Sequence, residues 1–288
     1  MPVADLEDAF GDVVRKAREG LGLDVADVAR LAGVNPERLA ALESYQALPN
    51  KEESDALARV LKLAREPLWQ IARGAYVPVV DPSGPAGGAV GREAMSPDGT
   101  GCEVVSFTFQ PMGSHGYLIH VRDSGDTFLV DPGGPPDEML ETAAERDWRL
   151  TAVLITHGHS DHVAGLERVL EAGPVPVYAH PAECKAQALV PVTGPAQLVI
   201  GRSHVRVLFT PGHTVGGLTF VIKGVAAVGD TLFAGSLGRA LRGPEYYDRL
   251  LASARLILSL PDETLLLPGH GPLTSVGLEK RHNPFVAA

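Results

Sequence analysis

Between residues 5 and 75 the apolar positions recur at helical spacing. Leu6, Phe10, Val13, Val14 and Ala17 follow the i, i+4, i+7, i+8 order of a one-sided stripe. Asp24 can cap a second helix carrying Val25, Val28 and Ala29, which Gly33 ends. Asn35 before Pro36 pairs a cap with a proline at the first helical position, and so opens a third helix with Leu39 and Leu42 on one face. A fourth runs through Ala56, Leu57, Val60 and Leu61, and Pro67 opens a fifth.

The pattern then breaks. From residue 77 to 101, Pro78, Pro82, Pro85 and Pro97 alternate with Gly84, Gly87, Gly88, Gly91, Gly99 and Gly101. With few large apolar groups, such a stretch reads as a linker. After it come short β-like runs: Val104 to Phe109, Tyr117 to Val121, Thr127 to Val130, Ala152 to Ile155, Val175 to Tyr178, Val205 to Phe209, Leu218 to Ile222, Val225 to Val228 and Thr264 to Leu267. Helical stretches at Val163 to Glu171 and Pro244 to Ser259 lie between them. The expected order is a helical domain over 1–76, a linker over 77–102 and an α+β layered domain over 103–288.

Polar elements follow several of these strands directly. Ala152 to Thr156 runs into His157-Gly158-His159-Ser160-Asp161-His162, and Val207 to Thr210 runs into Pro211-Gly212-His213. Ala226 to Gly229 leads to Asp230, and Leu265 to Leu267 leads to Pro268-Gly269-His270. Loops at strand ends let rigid sheets aim several groups at one point. The imidazoles and carboxylates so placed are the donor inventory for two borderline divalent ions such as zinc, with one carboxylate able to bridge. No Gly-x-Ser-x-Gly elbow offers a side-chain nucleophile.

Composition narrows the setting. Hydrophobic residues make up 45% and charged residues 21% of the 288, ordinary for a globular chain. No run approaches the ~18 apolar residues of a membrane span, and the acidic start Asp5-Leu6-Glu7-Asp8 is unlike a secretory signal. Two cysteines, Cys102 and Cys184, make no disulfide framework, so a cytoplasmic protein with free thiols is expected. The net charge of −10 disfavours nucleic acid and anionic lipid as partners. All ten histidines lie between His115 and His282, which places the chemistry in the second part of the chain.

On the His157 to His162 run and its strand-end partners, residues 103–288 resemble the metallo-β-lactamase-fold superfamily, and within it the glyoxalase II-like hydrolases. Asp131-Pro132-Gly133-Gly134, Gly235-Ser236-Leu237-Gly238-Arg239 and Arg281-His282-Asn283-Pro284-Phe285 also look like this group. The resemblance implies a four-layer αββα sandwich with the site at one edge of two sheets. It implies one metal on His157, His159 and His213, a second on Asp161, His162 and His270, and Asp230 bridging; zinc comes first, with iron or manganese as alternatives. A metal-bridging hydroxide would then cleave a thioester, ester or lactone of a small molecule, with Asp161 also carrying a proton. Asp131 would orient a ligand histidine, and Asp230 argues against a true β-lactamase. Arg239 and His115 are the candidate substrate contacts. The chain ends soon after Phe285, so the C-terminal helical domain that binds glutathione conjugates in full-length glyoxalase II is expected to be absent.

The pattern from Val25 to Leu39 resembles the helix-turn-helix of phage-repressor-type DNA-binding domains. Of the groups its recognition helix offers, Arg38 and Gln46 suit phosphate and base contacts, while Glu37 and Glu43 oppose them. Homodimerisation or another protein contact is the alternative for this domain. Two rival functions accompany the hydrolase: a mononuclear-iron persulfide dioxygenase using His157, His213 and Asp230, and a ligand-sensing transcriptional regulator.

Overall fold

The computed structural model describes residues 6–78 and 99–287; most of the expected linker, 79–98, lies outside the described residues. Five helices come first: α1 (Phe10–Gly20), α2 (Val25–Ala32), α3 (Pro36–Glu43), α4 (Lys51–Leu61) and α5 (Arg65–Ala72). Their ends follow from local chemistry. Asp24 Oδ1 accepts from the Asp27 amide at 2.7 Å and opens α2, which closes on Gly33 in the left-handed region. Asn35 accepts from the Glu37 amide at 2.8 Å and opens α3 on Pro36. Asn50 and Glu53 form a reciprocal capping box on α4.

The rest of the chain runs β1 (Cys102–Phe109), β2 (Ser114–Val121), β3 (Asp126–Val130), α6 (Asp137–Glu145), β4 (Leu150–Leu154), α7 (Ser160–Val163), α8 (Leu166–Ala172), β5 (Val177–Ala179) and β6 (Leu189–Pro191). It continues through β7 (Ala196–Ile200), β8 (Ser203–Phe209), β9 (Leu218–Ile222), β10 (Val225–Gly229), α9 (Pro244–Ile257), β11 (Leu265–Pro268), β12 (Thr274–Ser275) and α10 (Val276–His282). Two six-stranded sheets result, β1-β2-β3-β4-β5-β6 and β12-β11-β10-β9-β8-β7. The helix expected from Val163 to Glu171 is split, because the chain breaks at Ala164 and Gly165 between α7 and α8.

Strand alternation builds the layers. Ile119, Phe128, Ala152 and Leu154 of the first sheet meet Val207, Phe220, Ala227 and Leu267 of the second in the central core. Their neighbours Leu118, Leu129 and Val153 face α6 and α8 through Met139, Ala143 and Val169. On the far side, Leu208, Ala226, Val228 and Leu266 meet Leu250, Ala254 and Ile257 of α9 and Val276 of α10. The chain is thus a helical region followed by a four-layer αββα sandwich. With both sheet faces buried, the strands read as nearly continuous apolar runs.

The helical region is no pendant. Phe10, Val13, Val14, Ala17, Leu57 and Leu68 belong to the same buried cluster as α9 and the outer face of the second sheet. Tyr76 extends this junction: its hydroxyl donates to Glu279 Oε1 at 2.5 Å. Glu279 is fully buried and also receives Thr274 Oγ1 at 2.6 Å, Asn283 Nδ2 at 2.8 Å and the Gly235 amide at 3.0 Å. One carboxylate thus ties together α10, the loop after β10 and the end of the helical region. No helix among the described residues is long and apolar enough to cross a membrane.

Removing the Tyr76 hydroxyl leaves a buried acceptor short of a donor. Tyr76→Phe should therefore cost about 1–3 kcal/mol, read as a lower urea midpoint at unchanged slope; an unshifted midpoint would refute the tie.

Candidate metal centre

Strand ends converge at one edge of the sandwich. β3 leads to Asp131, β4 to His157 and His159, α7 carries Asp161 and His162, β8 leads to His213, β10 to Asp230 and β11 to His270. His157, His159, His213 and Asp230 form one group of close donor atoms, and Asp161, His162 and His270 another. Every residue expected as a metal ligand is therefore in the cluster.

Asp230 stands between the groups. Its Oδ2 lies 3.4 Å from His213 Nε2, 3.8 Å from His157 Nε2 and 3.6 Å from His270 Nε2, and its Oδ1 lies 3.4 Å from His162 Nε2. Asp161 Oδ2 reaches His270 Nε2 at 3.3 Å, and His159 Nδ1 faces His213 Nε2 at 3.0 Å. His157, His162, Asp230 and His270 are buried, whereas His159, Asp161 and His213 are partly exposed and form the open edge.

The imidazoles are held from behind. Thr156 Oγ1 lies 3.0 Å from His157 Nδ1, Asp131 Oδ2 lies 3.2 Å from His162 Nδ1, and the Arg239 carbonyl accepts from His213 Nδ1 at 2.8 Å. Each contact leaves an Nε2 lone pair directed inward. Asp131 also accepts from the Thr156 amide at 2.8 Å and the Thr156 hydroxyl at 2.6 Å, from a backbone conformation of positive φ (45°). Such a conformation in a non-glycine residue needs firm surroundings to persist. Glycine is required where the loops crowd: a Cβ on Gly269 would come within 2.1 Å of Asp230 Oδ1, and one on Gly238 within 1.9 Å of the Asp230 carbonyl.

Electrostatics sort the cluster. Burial pulls the His157 and His213 imidazoles below their ordinary value. Burial also acts on His162, but the Asp131 hydrogen bond and the charges of Asp230 and Asp161 override it and raise that imidazole to about 9. Burial would raise the Asp230 carboxyl, yet the surrounding imidazoles hold it well below the usual carboxylate range. His157 Nε2, His162 Nε2 and Asp230 Oδ1 are buried without a hydrogen-bond partner. Unpartnered ring nitrogens and a carboxylate oxygen converging on one volume fit divalent cations, whose binding would displace the His162 proton.

A family description, metallo-beta-lactamase superfamily, matches residues 110–270, over half of the chain. The chain belongs to that superfamily. A helix-turn-helix family matches residues 14–68. Among metallo-beta-lactamase relatives, a probable metallo-hydrolase, YqgX of Bacillus subtilis, is 33% identical, covering 61% of this chain and 93% of its own. The hydroxyacylglutathione hydrolase GloC of Haemophilus influenzae is 30% identical over 57% of this chain and 89% of its own. Two solved structures are similar. ETHE1 from Myxococcus xanthus has a TM-score of 0.59 at 31% identity, covering 64% of this chain and 84% of that one. TTHA1623, in a di-iron-bound form, has a TM-score of 0.55 at 33% identity, covering 63% and 99%.

The remaining expected residues fall as follows. His115 lies on β2 beside the superfamily cluster, its amide donating to the Gly269 carbonyl at 2.7 Å and its Nδ1 3.0 Å from Thr108 Oγ1. Arg239 pairs its guanidinium with Glu19 of α1 at 2.7 Å, so its carbonyl, rather than its charge, reaches the cluster. Arg38 pairs with Glu53 at 2.8 Å and also donates to the Leu48 carbonyl, while Gln46 is exposed. Sequence reasoning missed Glu183, which accepts from the Gly158 amide at 3.0 Å and the Gly216 amide at 2.7 Å and so ties the His157 and His213 loops together. No local motif marks it.

In chelator-treated protein the His162 imidazole should titrate near 9 by NMR. Because this value is raised, its contribution to stability is present below the ordinary imidazole value and is lost as pH climbs through about 9. Asp131→Asn should lower that midpoint; an unmoved midpoint would rule out the Asp131 contact as its cause.

Proposed function

We propose that the chain is a binuclear, glyoxalase II-like metallohydrolase that cleaves a thioester, ester or lactone of a small molecule. The observation that carries this reading is the buried Asp230 carboxylate, approached by His157 and His213 of one group and by His162 and His270 of the other. His157, His159 and His213 would hold one ion, Asp161, His162 and His270 the second, with Asp230 shared. Imidazole and carboxylate donors suit zinc first, and iron or manganese as alternatives. When bound, such ions supply a Lewis acid and lower the pKa of bound water toward ~7.

The protein's own residues do the rest. His157, His162 and Asp230 form a buried floor that excludes bulk water, so a substrate carbonyl arrives at the edge formed by His159, Asp161 and His213. Asp161, partly exposed there, can pass a proton between substrate and solvent. Thr156, Asp131 and the Arg239 carbonyl fix the ring orientations throughout. Similarity to the hydroxyacylglutathione hydrolase supports thioester chemistry, and similarity to the di-iron-bound protein supports two ions. A one-iron dioxygenase site on His157, His213 and Asp230 would leave Asp161, His162 and His270 without a common role.

For the helical region we favour a structural part over DNA binding. Four of its cations are engaged in ion pairs within the region: Arg15 pairs with Asp12, Lys16 with Asp8, Arg18 with Glu43 and Arg38 with Glu53. Its covered stripe packs on the sandwich.

Metal analysis should find two divalent ions per chain with turnover on at least one member of a thioester, ester and lactone panel. Asp230→Ala should lose bound metal and about 10²-fold or more of that turnover. An inactive wild type, or unchanged turnover in Asp230→Ala, would remove the binuclear reading. On heparin and in a gel shift the full chain should pass unretained and leave DNA unshifted; retention with shifting would overturn the structural reading of the helices.

A further inference from the structure

Each histidine that aims Nε2 into the cluster needs an acceptor behind its Nδ1 to fix its tautomer. For His157 this is Thr156, for His162 Asp131, and for His213 the Arg239 carbonyl. All three acceptors come from the sandwich. His270 differs: its Nδ1 is buried and has no hydrogen-bond partner among the described residues. The acidic group facing it is Glu7, whose Oε1 stands 4.0 Å away.

Glu7 belongs to the segment that leads into α1, so it reaches the centre from the helical region. Contacts on both sides hold it there. Its backbone lies against Gly271, where an added Cβ would sit 2.9 Å from Glu7 Cβ and 3.1 Å from Glu7 N. Next to it, Asp8 binds Lys16 at 2.5 Å, and Lys16 donates onward to the Leu237 carbonyl at 2.7 Å, in the loop that leads to Arg239. Lys16 also stands over the Phe233 ring, and Phe233 packs edge-on against His270. The Glu7 side chain is partly exposed, and rotation about its torsions between staggered positions would bring Oε1 into hydrogen-bond range of Nδ1.

We propose that Glu7 is a positioning residue for the second metal ion: its carboxylate accepts the Nδ1 proton of His270 and leaves the Nε2 lone pair for the ion. The helical region thereby completes the centre instead of merely packing beside it. This rests on the binuclear reading above. Acceptors of this kind raise the basicity of a ligand histidine and fix its ring, and their loss costs about 10–100-fold in metal affinity.

The test is titration of the chelator-treated full chain with cobalt(II), read by visible absorption and metal content alongside thioester turnover. Wild type should bind two ions. Glu7→Ala should weaken the second ion by about 10–100-fold and leave the first unchanged. Glu7→Gln, which keeps an acceptor oxygen, should recover most of the affinity, and both variants should melt with wild type. A merely structural role would alter melting and would not single out one ion. Equal binding of both ions by Glu7→Ala and wild type overturns the inference while leaving the hydrolase reading intact, and so does an equal loss at both ions. A wild type that binds one ion overturns both. Selective loss of the second ion in Glu7→Ala, in a protein that turns over no thioester, ester or lactone, upholds Glu7 and sinks the hydrolase.

Discussion

The centre depends on keeping one carboxylate, Asp230, ionised out of water. An isolated buried carboxylate would cost several kcal/mol and would take up a proton instead. Here imidazoles surround it from two directions and hold it charged. They can do so only if four separate loops end within a few ångströms of each other. Both sheets are apolar on both faces and close-packed in layers, so the loop bases hardly move. The polar centre is therefore positioned by an apolar scaffold, and the crowding at Gly269 and Gly238 shows how little space is left.

Much of that was legible along the chain. The His157 to His162 run is local, and each of His213, Asp230 and His270 follows an apolar strand with a glycine beside it, so the residues that cluster here could be picked out before any contact was known. Helix caps at Asp24 and Asn35 were equally local. What could not be read depends on distant pairing. β6 and β7 lie at sheet edges. β6 has three residues, two of them exposed, and β7 alternates in burial but places the apolar Val199 on its exposed side, so neither carries an apolar/polar alternation along the chain. Glu183 acts by accepting two backbone amides, a role any acidic residue in a loop could fill.

Arg239 shows how one position can act through its backbone as well as its side chain. Its place in the Gly235 to Arg239 run suggested a cation waiting for substrate. Its guanidinium instead holds Glu19, 220 positions earlier, while its carbonyl holds His213. A side-chain reading of sequence has no access to a backbone acceptor, and the ion pair crosses between regions that the sequence presents as separate domains. The helix-turn-helix pattern behaves in a similar way. Its turns and caps specify how the helices fold, whereas DNA binding would require free cations on one face, and Arg38 is committed to Glu53.

The same constraint links the helical region to the chemistry. A metal centre needs its ligand rings fixed within small tolerances, and each ring is fixed by what stands behind it. Behind His213 stands the Arg239 carbonyl, in a loop anchored by Lys16 and Glu19 of α1 and by the Glu279 network that Tyr76 joins. Movement of α1 would therefore reach His213 through its supporting carbonyl before it reached any bound substrate. A helical region that shares its core with α9 and the second sheet resists such movement. In this architecture the helices contribute to the centre through rigidity.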